Sequence, residues 1–491
     1  MAAGSRRAHH QVTFAVLALG IGAFALLQSL VVPVLTTVQH QLHTSQDTVT
    51  WVLTAYLLSA SIMTPILGRV GDMRGKKRVF VAALVALAVG SLLAALAPSI
   101  GVMIVARVIQ GAGGGMLPVA FGIIRDEFPA EKVAGAVGVL AALTAVGAGL
   151  GIVLAGPIVN ALDYHWLFWL PLILTVVASV AAVAFVPESP VRTPGRISWL
   201  PAVLLSGWLV ALLVALLVAL SEAPVWGWGS GRVIGLLAGA VVLAGAWVVA
   251  ELRAATPLID MTMMRRTAVW TNNLVALLIG VGMYATFAFL PEFVQTPPAA
   301  GYGFGASITQ SGLMLLPSTI TMFAVGMFAG RLTRELGGKV LVIAGCLIGC
   351  GAMAILAFAH AHVWEIYLSS AIMGVGFGLA FSAMSALVVA AVPPSQTGVA
   401  SGMNANIRTI GGSIGAAVMA SIVTSQLGPS GLPEESGYTT GFAVMAAGLA
   451  LAALAGLLIP AARGLRRDAG ELDHAELAMV AGGTVSGDES E

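Results

Sequence analysis

Fourteen stretches of roughly 20 apolar residues run along this 491-residue chain, and few folds accommodate even one of them. They lie at 12–35, 48–67, 79–97, 100–124, 133–159, 166–186, 199–220, 232–250, 267–290, 308–330, 340–359, 363–391, 397–424 and 438–460. In lipid every backbone N–H and C=O must be paired within the protein, so only helices and closed barrels span. The runs are too long and continuous for the ten-residue alternation of a barrel strand. Only 9% of the residues are charged and 58% are hydrophobic, against roughly 25% charged in a soluble domain. An all-α integral membrane protein with 14 transmembrane helices is therefore expected. The first run is too long for the apolar core of a cleaved signal peptide, so none is expected.

With an even number of spans both termini lie on one side. Placing that side in the cytoplasm puts 20 of the 23 Lys and Arg residues in cytoplasmic segments, as basic loops resist translocation. Residues 68–78 alone hold Arg69, Arg74, Lys76, Lys77 and Arg78. Of the remaining three cations, Arg232 opens an outer-side span, and Arg107 and Arg408 fall inside spans. The last 31 residues, 461–491, turn polar and acidic and are expected to be a disordered cytoplasmic tail.

The 68–79 segment recurs. GRVGDMRGKKRV resembles GRLTRELGGKV at 330–340, an offset of 262; QGAGGG at 110–115 resembles MGVGFG at 373–378; Pro129, Gly138, Gly147 and Gly151 match Pro393, Gly402, Gly411 and Gly415. So constant an offset implies duplication: two pseudo-symmetric six-helix bundles, 12–186 and 267–460, with two inserted helices at 199–250. Parallel repeats of this kind build carriers whose cargo site lies between the halves.

Two residue sets then carry the chemistry. Intramembrane charge is costly and marks functional candidates, which singles out Arg107, with Gln110 one turn on, and Arg408, with Asn404 one turn before it. Contact with cargo, snorkelling and satisfaction by backbone carbonyls remain open for them. No acid falls near the middle of a span. Glu292 and Glu365, at outer span ends, are the candidates for a proton-carrying carboxylate or are rim charges; His360 and His362 lie at the outer end of span 11. Two unpaired arginines favour an anionic or strongly hydrogen-bonding cargo. Met283, Tyr284, Phe287, Phe377, Phe381 and Met384 line a cavity or pack in the core or against lipid. Trp226 and Trp228 suit an outer interfacial belt. Cys346 and Cys350, one turn apart in an apolar run, read as packing thiols or a redox or metal pair. No GxxxxGK[ST] phosphate loop is present, which argues against an ATP-driven pump.

These motifs are similar to those of the major facilitator superfamily, specifically its 14-spanner drug:proton antiporter family, over about residues 12–460. WVLTAYLL at 51–58 followed by Gly68, Asp72, Arg74, Gly75, Lys76 and Lys77 resembles the superfamily's loop between spans 2 and 3, and the resemblance implies that this loop gates the cytoplasmic side; topology anchoring is the plainer reading. Met73 stands where a basic residue is usual. RVIQGAGGG at 107–115 resembles the span-4 motif, which implies a role for Arg107 in proton transfer or substrate contact. GLGIVLAGPIVNAL at 149–162 resembles the span-5 antiporter motif through Gly151, Gly156 and Pro157, with a helix kink at the proline; its spacing is one residue longer than the pattern, and Asn160–Ala161 replace a glycine pair. Leu27 stands where the family has a span-1 Asp.

The resemblance implies a transporter rather than an enzyme. It would export small amphipathic organic molecules (drugs, antibiotics or metabolites) by proton antiport with alternating access across a prokaryotic cytoplasmic membrane. Partners would be the small-molecule substrate, protons and the lipid bilayer, with no nucleic acid, no metal and no cofactor, and the chain acting as a monomer. The alternatives are a proton-independent carrier of an organic anion and a membrane receptor or scaffold on the same fold.

Overall fold

A computed structural model describes residues 10–31, 34–44, 46–189, 200–212, 229–254, 257, 259–425 and 432–460. The helices are α1 (His10–Leu30), α2 (Leu35–Gln41), α3 (Gln46–Arg74), α4 (Lys76–Ala95), α5 (Ile100–Gln110), α6 (Met116–Glu127), α7 (Ala130–Ala161), α8 (Trp166–Phe185), α9 (Leu200–Leu212), α10 (Gly231–Arg253), α11 (Met261–Met264), α12 (Thr267–Gln295), α13 (Ile308–Leu336), α14 (Gly338–Phe358), α15 (Val363–Ala390), α16 (Thr397–Thr424) and α17 (Glu435–Gly456). A 3-10 turn, Gly111–Gly115, joins α5 to α6 in one span. Among the described residues 13 helical segments are long and apolar enough to cross a membrane. The α9 helix occupies the start of the expected span 199–220; the rest of that span, Trp226, Trp228 and the 461–491 tail lie outside the described residues.

Packing arranges the spans in two groups. In the first, α1 packs on α7 and α8, and α4 on α5 and α8; in the second, α12 packs on α16 and α17, and α14 on α15 and α17. Two seams join the groups, α7 against α13 and α3 against α16. The inserted pair lies over the second seam. Trp208 of α9 stacks on Trp247 of α10 with ring centroids 5.8 Å apart, in a cluster with Val399 and Met403 of α16 that Ile62 and Ile66 of α3 also touch. Glu251 ties α10 to the following linker, accepting from Trp247 Nε1 at 3.1 Å and from the Ile259 N–H at 3.3 Å. Valines such as Val180, Val241 and Val242 are exposed, which suits a surface solvated by lipid.

The sequence places a loop at residues 68–78, and the structure corrects this. Helix α3 continues through Arg74 and α4 begins at Lys76, leaving Gly75 as the only break. At 29 residues α3 is about 43 Å long, more than the roughly 30 Å hydrocarbon core, so its last turns project beyond it. Gly68 serves helix packing rather than a turn: a Cβ there would lie 2.6 Å from Gly398 O of α16. Gly75 makes the turn with φ +113°, and Gly337, its partner in the repeat, does so between α13 and α14 with φ +86°. Both lie where L side chains are strained.

Candidate functional site

The ends of α3, α6, α15 and α16 meet on the face that carries the basic turns, and there the two groups are bonded together. Asp72, in the last turn of α3, is buried and accepts a hydrogen bond at 3.3 Å from the Val399 N–H in the first turn of α16. Unpaired amides and the helix dipole favour an anion at that position. Lys76, also buried, sits between two acids: its Nζ donates to Asp126 Oδ2 at 2.6 Å and lies 3.9 Å from Asp72 Oδ1. It also reaches across to Pro394 O at 3.5 Å. Arg125 complements this from α6. One guanidinium nitrogen donates to Val389 O, to Val392 O at 2.6 Å and to Thr397 Oγ1 at 3.0 Å, placing a cation at the carbonyl end of α15, where the dipole favours it. An acid thus holds the start of α16 and a cation the end of α15.

Other expected latch residues act elsewhere. Arg74 is exposed and outside this network. Lys77 turns back to its own group, with its N–H on Glu188 Oε1 at 3.3 Å and its Nζ on Val183 O at 2.8 Å. The carboxylate of Glu188 fills the space beside Gly75, 2.5 Å from where a Cβ would stand, and meets Arg78 at 3.5 Å. Ser189 donates to Asp126. Sequence reading missed Arg125, Asp126 and Glu188 because each looks like an ordinary loop charge; no local pattern announces partners 50 to 272 residues away. Asp260, in the linker after α10, is pulled two ways: burial pushes its carboxyl up, but hydrogen bonds from Thr262, Gln396 and Met263 prevail and hold it below the usual range.

A narrow cleft lies between the groups above this latch, lined by Leu117 and Phe121 of α6, Phe381 of α15 and Ser401, Asn404 and Arg408 of α16. Arg408 is 11 residues into α16 from Thr397, a depth of about 16 Å. Its guanidinium carbon sits 4.1 Å from the centre of the Phe381 ring, a cation–π contact. Its Nε and the Ser401 hydroxyl have no hydrogen-bond partner. Asn404 donates to Asn273 of α12 at 2.9 Å.

The other expected cavity residues do not line this cleft. Arg107 is fully buried within the first group: its Nε donates to Val52 O at 3.0 Å, one terminal nitrogen donates to Gln110 Oε1 at 2.8 Å, and its guanidinium lies 4.2 Å from the centre of the Tyr56 ring. Gln110 passes the chain on to Ser91 at 3.2 Å. Burial of Arg107 rules out snorkelling, and backbone and amide oxygens satisfy it in part; its second terminal nitrogen has no partner.

Both candidate carboxylates lie away from the cleft. Glu365 closes a capping box at the start of α15, accepting from the His362 N–H at 2.8 Å. Glu292 sits at the far end of α12, next to Tyr438, in an outer cluster where His360 Nε2 meets Glu435 Oε1 at 2.8 Å and Tyr302 donates to Pro433 O at 2.6 Å. Burial pushes the Tyr302 phenol up. The span-5 glycines serve packing: a Cβ on Gly151 would run into Ser29 of α1, and one on Gly156 would come within 2.8 Å of Thr309 Oγ1 of α13. Helix α7 continues through Pro157 to Ala161. Cys346 and Cys350 are unpaired thiols on α14.

Comparison with known proteins places these features. The family model described as Major Facilitator Superfamily matches residues 17–296 and 273–482. The chain is 27% identical over 383 residues to the multidrug transporter protein MdtP of Bacillus subtilis, covering 77% of this chain and 69% of that protein. It is 26% identical over 425 residues to the tetracenomycin C resistance and export protein of Streptomyces glaucescens, covering 85% and 76%. In fold it is similar to the human organic anion transporter MFSD10, with a TM-score of 0.67 at 17% identity, covering 91% of this chain and 99% of that one.

Proposed function

The chain belongs to the major facilitator superfamily and is a multi-pass membrane transporter, not an enzyme, and from that premise we propose that it exports small amphipathic organic molecules by alternating access, driven by proton entry. The export and resistance functions in the names of its bacterial relatives support the direction and the cargo type. Helices α1–α8 and α12–α17 act as the two rocking bundles (residues 12–186 and 267–460), with 199–250 as an inserted pair. The distribution of Lys and Arg supports a cytoplasmic basic face with both termini inside, and the bacterial relatives support the plasma membrane as its location.

One observation carries the reading. Every described hydrogen bond between the two helix groups lies within about 12 Å of the basic face, from Asp72, Lys76 and Arg125 to Ser382, which donates to Gly138 O at 3.1 Å. A chain whose described inter-group hydrogen bonds gather on the basic side of a polar mid-helix cleft has the form expected of a carrier closed to the cytoplasm. The latch is built from charges against helix ends, and such bonds break without unfolding either group. The Asp72–Val399 bond is where a proton would matter most, because neutralising that carboxylate removes the charge that holds the start of α16.

The test is efflux of a dye panel from a drug-hypersensitive bacterium expressing the chain, with and without a protonophore. Uncoupler-sensitive efflux is expected. Efflux that survives the uncoupler removes proton antiport, and no efflux of any dye removes the export reading for that class of cargo.

A further inference from the structure

The charge of the cargo follows from what lines the cleft. Arg408 is 7% exposed, deep in α16, and no carboxylate among the described residues forms an ion pair with it. Its positive charge is stabilised by the Phe381 face and by the nearby Tyr284 hydroxyl, neither of which neutralises it. A buried cation without a counter-charge is costly, and an anion that reaches it recovers much of that cost. A second cation would meet repulsion strengthened by the low dielectric.

The rest of the lining fits the same occupant. The free Nε of Arg408 and the free Ser401 hydroxyl are donors without acceptors, and Asn404 adds a polar edge on the same helix. Leu117, Phe121 and Phe381 form an apolar wall facing them. A guanidinium whose Nε has no partner can donate to a carboxylate oxygen, and the apolar wall matches a flat aromatic body.

We propose that the cleft is a subsite for amphipathic organic anions, in which Arg408 binds a carboxylate or an equivalent acidic group and the Phe121–Phe381 side holds an aromatic or otherwise apolar body. This deepens the export reading and rests on it only for the cleft's being the cargo site. The cleft is narrow in this closed form, so the anion enters when the bundles part on one face. Arg107, held under Tyr56 and bonded to Gln110, does not contact the anion in this arrangement.

The test uses the purified full-length chain in phosphatidylcholine nanodiscs and two probes that share one aromatic body, 1-pyrenebutyrate and 1-pyrenebutyltrimethylammonium, with binding followed by tryptophan-to-pyrene energy transfer. Pyrenebutyrate is expected to bind at least tenfold more tightly. Arg408→Gln should weaken the anion about tenfold and leave the cation unchanged or tighter, while Arg408→Lys should keep part of the anion preference and confirm that the fold is intact. Replacing a third of the lipid with phosphatidylglycerol should leave pyrenebutyrate affinity unchanged; strong competition would assign the site to a lipid headgroup and overturn the proposal. Equal or tighter binding of the cation, an Arg408→Gln loss shared by both probes, or no saturable pyrenebutyrate binding would each overturn it. Dye efflux measured in cells is independent of these outcomes, so a working exporter without anion preference would sink this inference alone.

Discussion

Arg125→Gln is the substitution that isolates the closed latch. All of the hydrogen bonds described for the Arg125 guanidinium cross from α6 to the second group: Val389 O, Val392 O at 2.6 Å and Thr397 Oγ1 at 3.0 Å. Each charge-assisted bond contributes about 1.5–3 kcal/mol. They share one nitrogen and so do not add, and we take about 3 kcal/mol for the set, since glutamine loses both the charge and the reach. That shifts the closed-to-open ratio by a factor of about 150, whereas packing within each bundle is untouched. The assay is pulsed electron–electron resonance between spin labels at Arg74→Cys and Arg334→Cys, two exposed ends on opposite sides of the seam, in a Cys346→Ala, Cys350→Ala background. The parent should give a single short distance and Arg125→Gln a dominant longer one, with the melting temperature nearly unchanged. Superposable distance distributions would refute the assignment of the latch to these bonds.

Three further outcomes follow from the same geometry. Glu365→Gln should leave stability nearly unchanged, because the amide oxygen of glutamine can keep the capping-box bond from the His362 N–H; dye transport within about twofold of the parent is expected, and a collapse of transport with a normal melting curve would mark Glu365 as a coupling group. Gly337→Ala should cost about 1 kcal/mol from backbone strain alone, since nothing lies within 4 Å of the added methyl, whereas Gly75→Ala also meets the Glu188 carboxylate and should lower the melting temperature more. Asp260 is held below the usual carboxylate range, so its bonds stabilise the fold above the unfolded value near 3.8 and the contribution fades as pH falls through the folded value. The gap in melting temperature between parent and Asp260→Asn should therefore be full at pH 6 and shrink below pH ~4; a gap independent of pH would contradict the assignment.

The spans were legible because the bilayer imposes a length and an apolarity that few residues can hide. Helices α4, α8, α15 and α16 begin and end within three residues of the hydropathy reading. The end of α3 was not, since Gly68 and Gly71 look like turn residues, and only the approach of α16 reveals that glycine is used there for contact. The second-half equivalent of the 3-10 turn at Gly111–Gly115 is continuous helix in α15, so duplication in sequence does not fix local geometry. Asp72 and Lys76 could be singled out as charges beside an apolar span, but their partners are a helix terminus and an acid on other elements. Arg408 was visible as a cation at depth; that it shares a cleft with Ser401 and Phe381 while Arg107 does not depends on which faces of α6, α15 and α16 meet.

Under the alternating access proposed for this chain, the two helix groups must part on the basic face for cargo to cross. A Cβ at Gly138 would lie 3.2 Å from the Cβ of Ala329 across the α7–α13 seam, close to the separation a disulfide requires. Gly138→Cys with Ala329→Cys, in the background lacking Cys346 and Cys350, should oxidise readily, stop dye transport in proteoliposomes and regain it on reduction. An oxidised protein that transports at the parent rate would contradict the account.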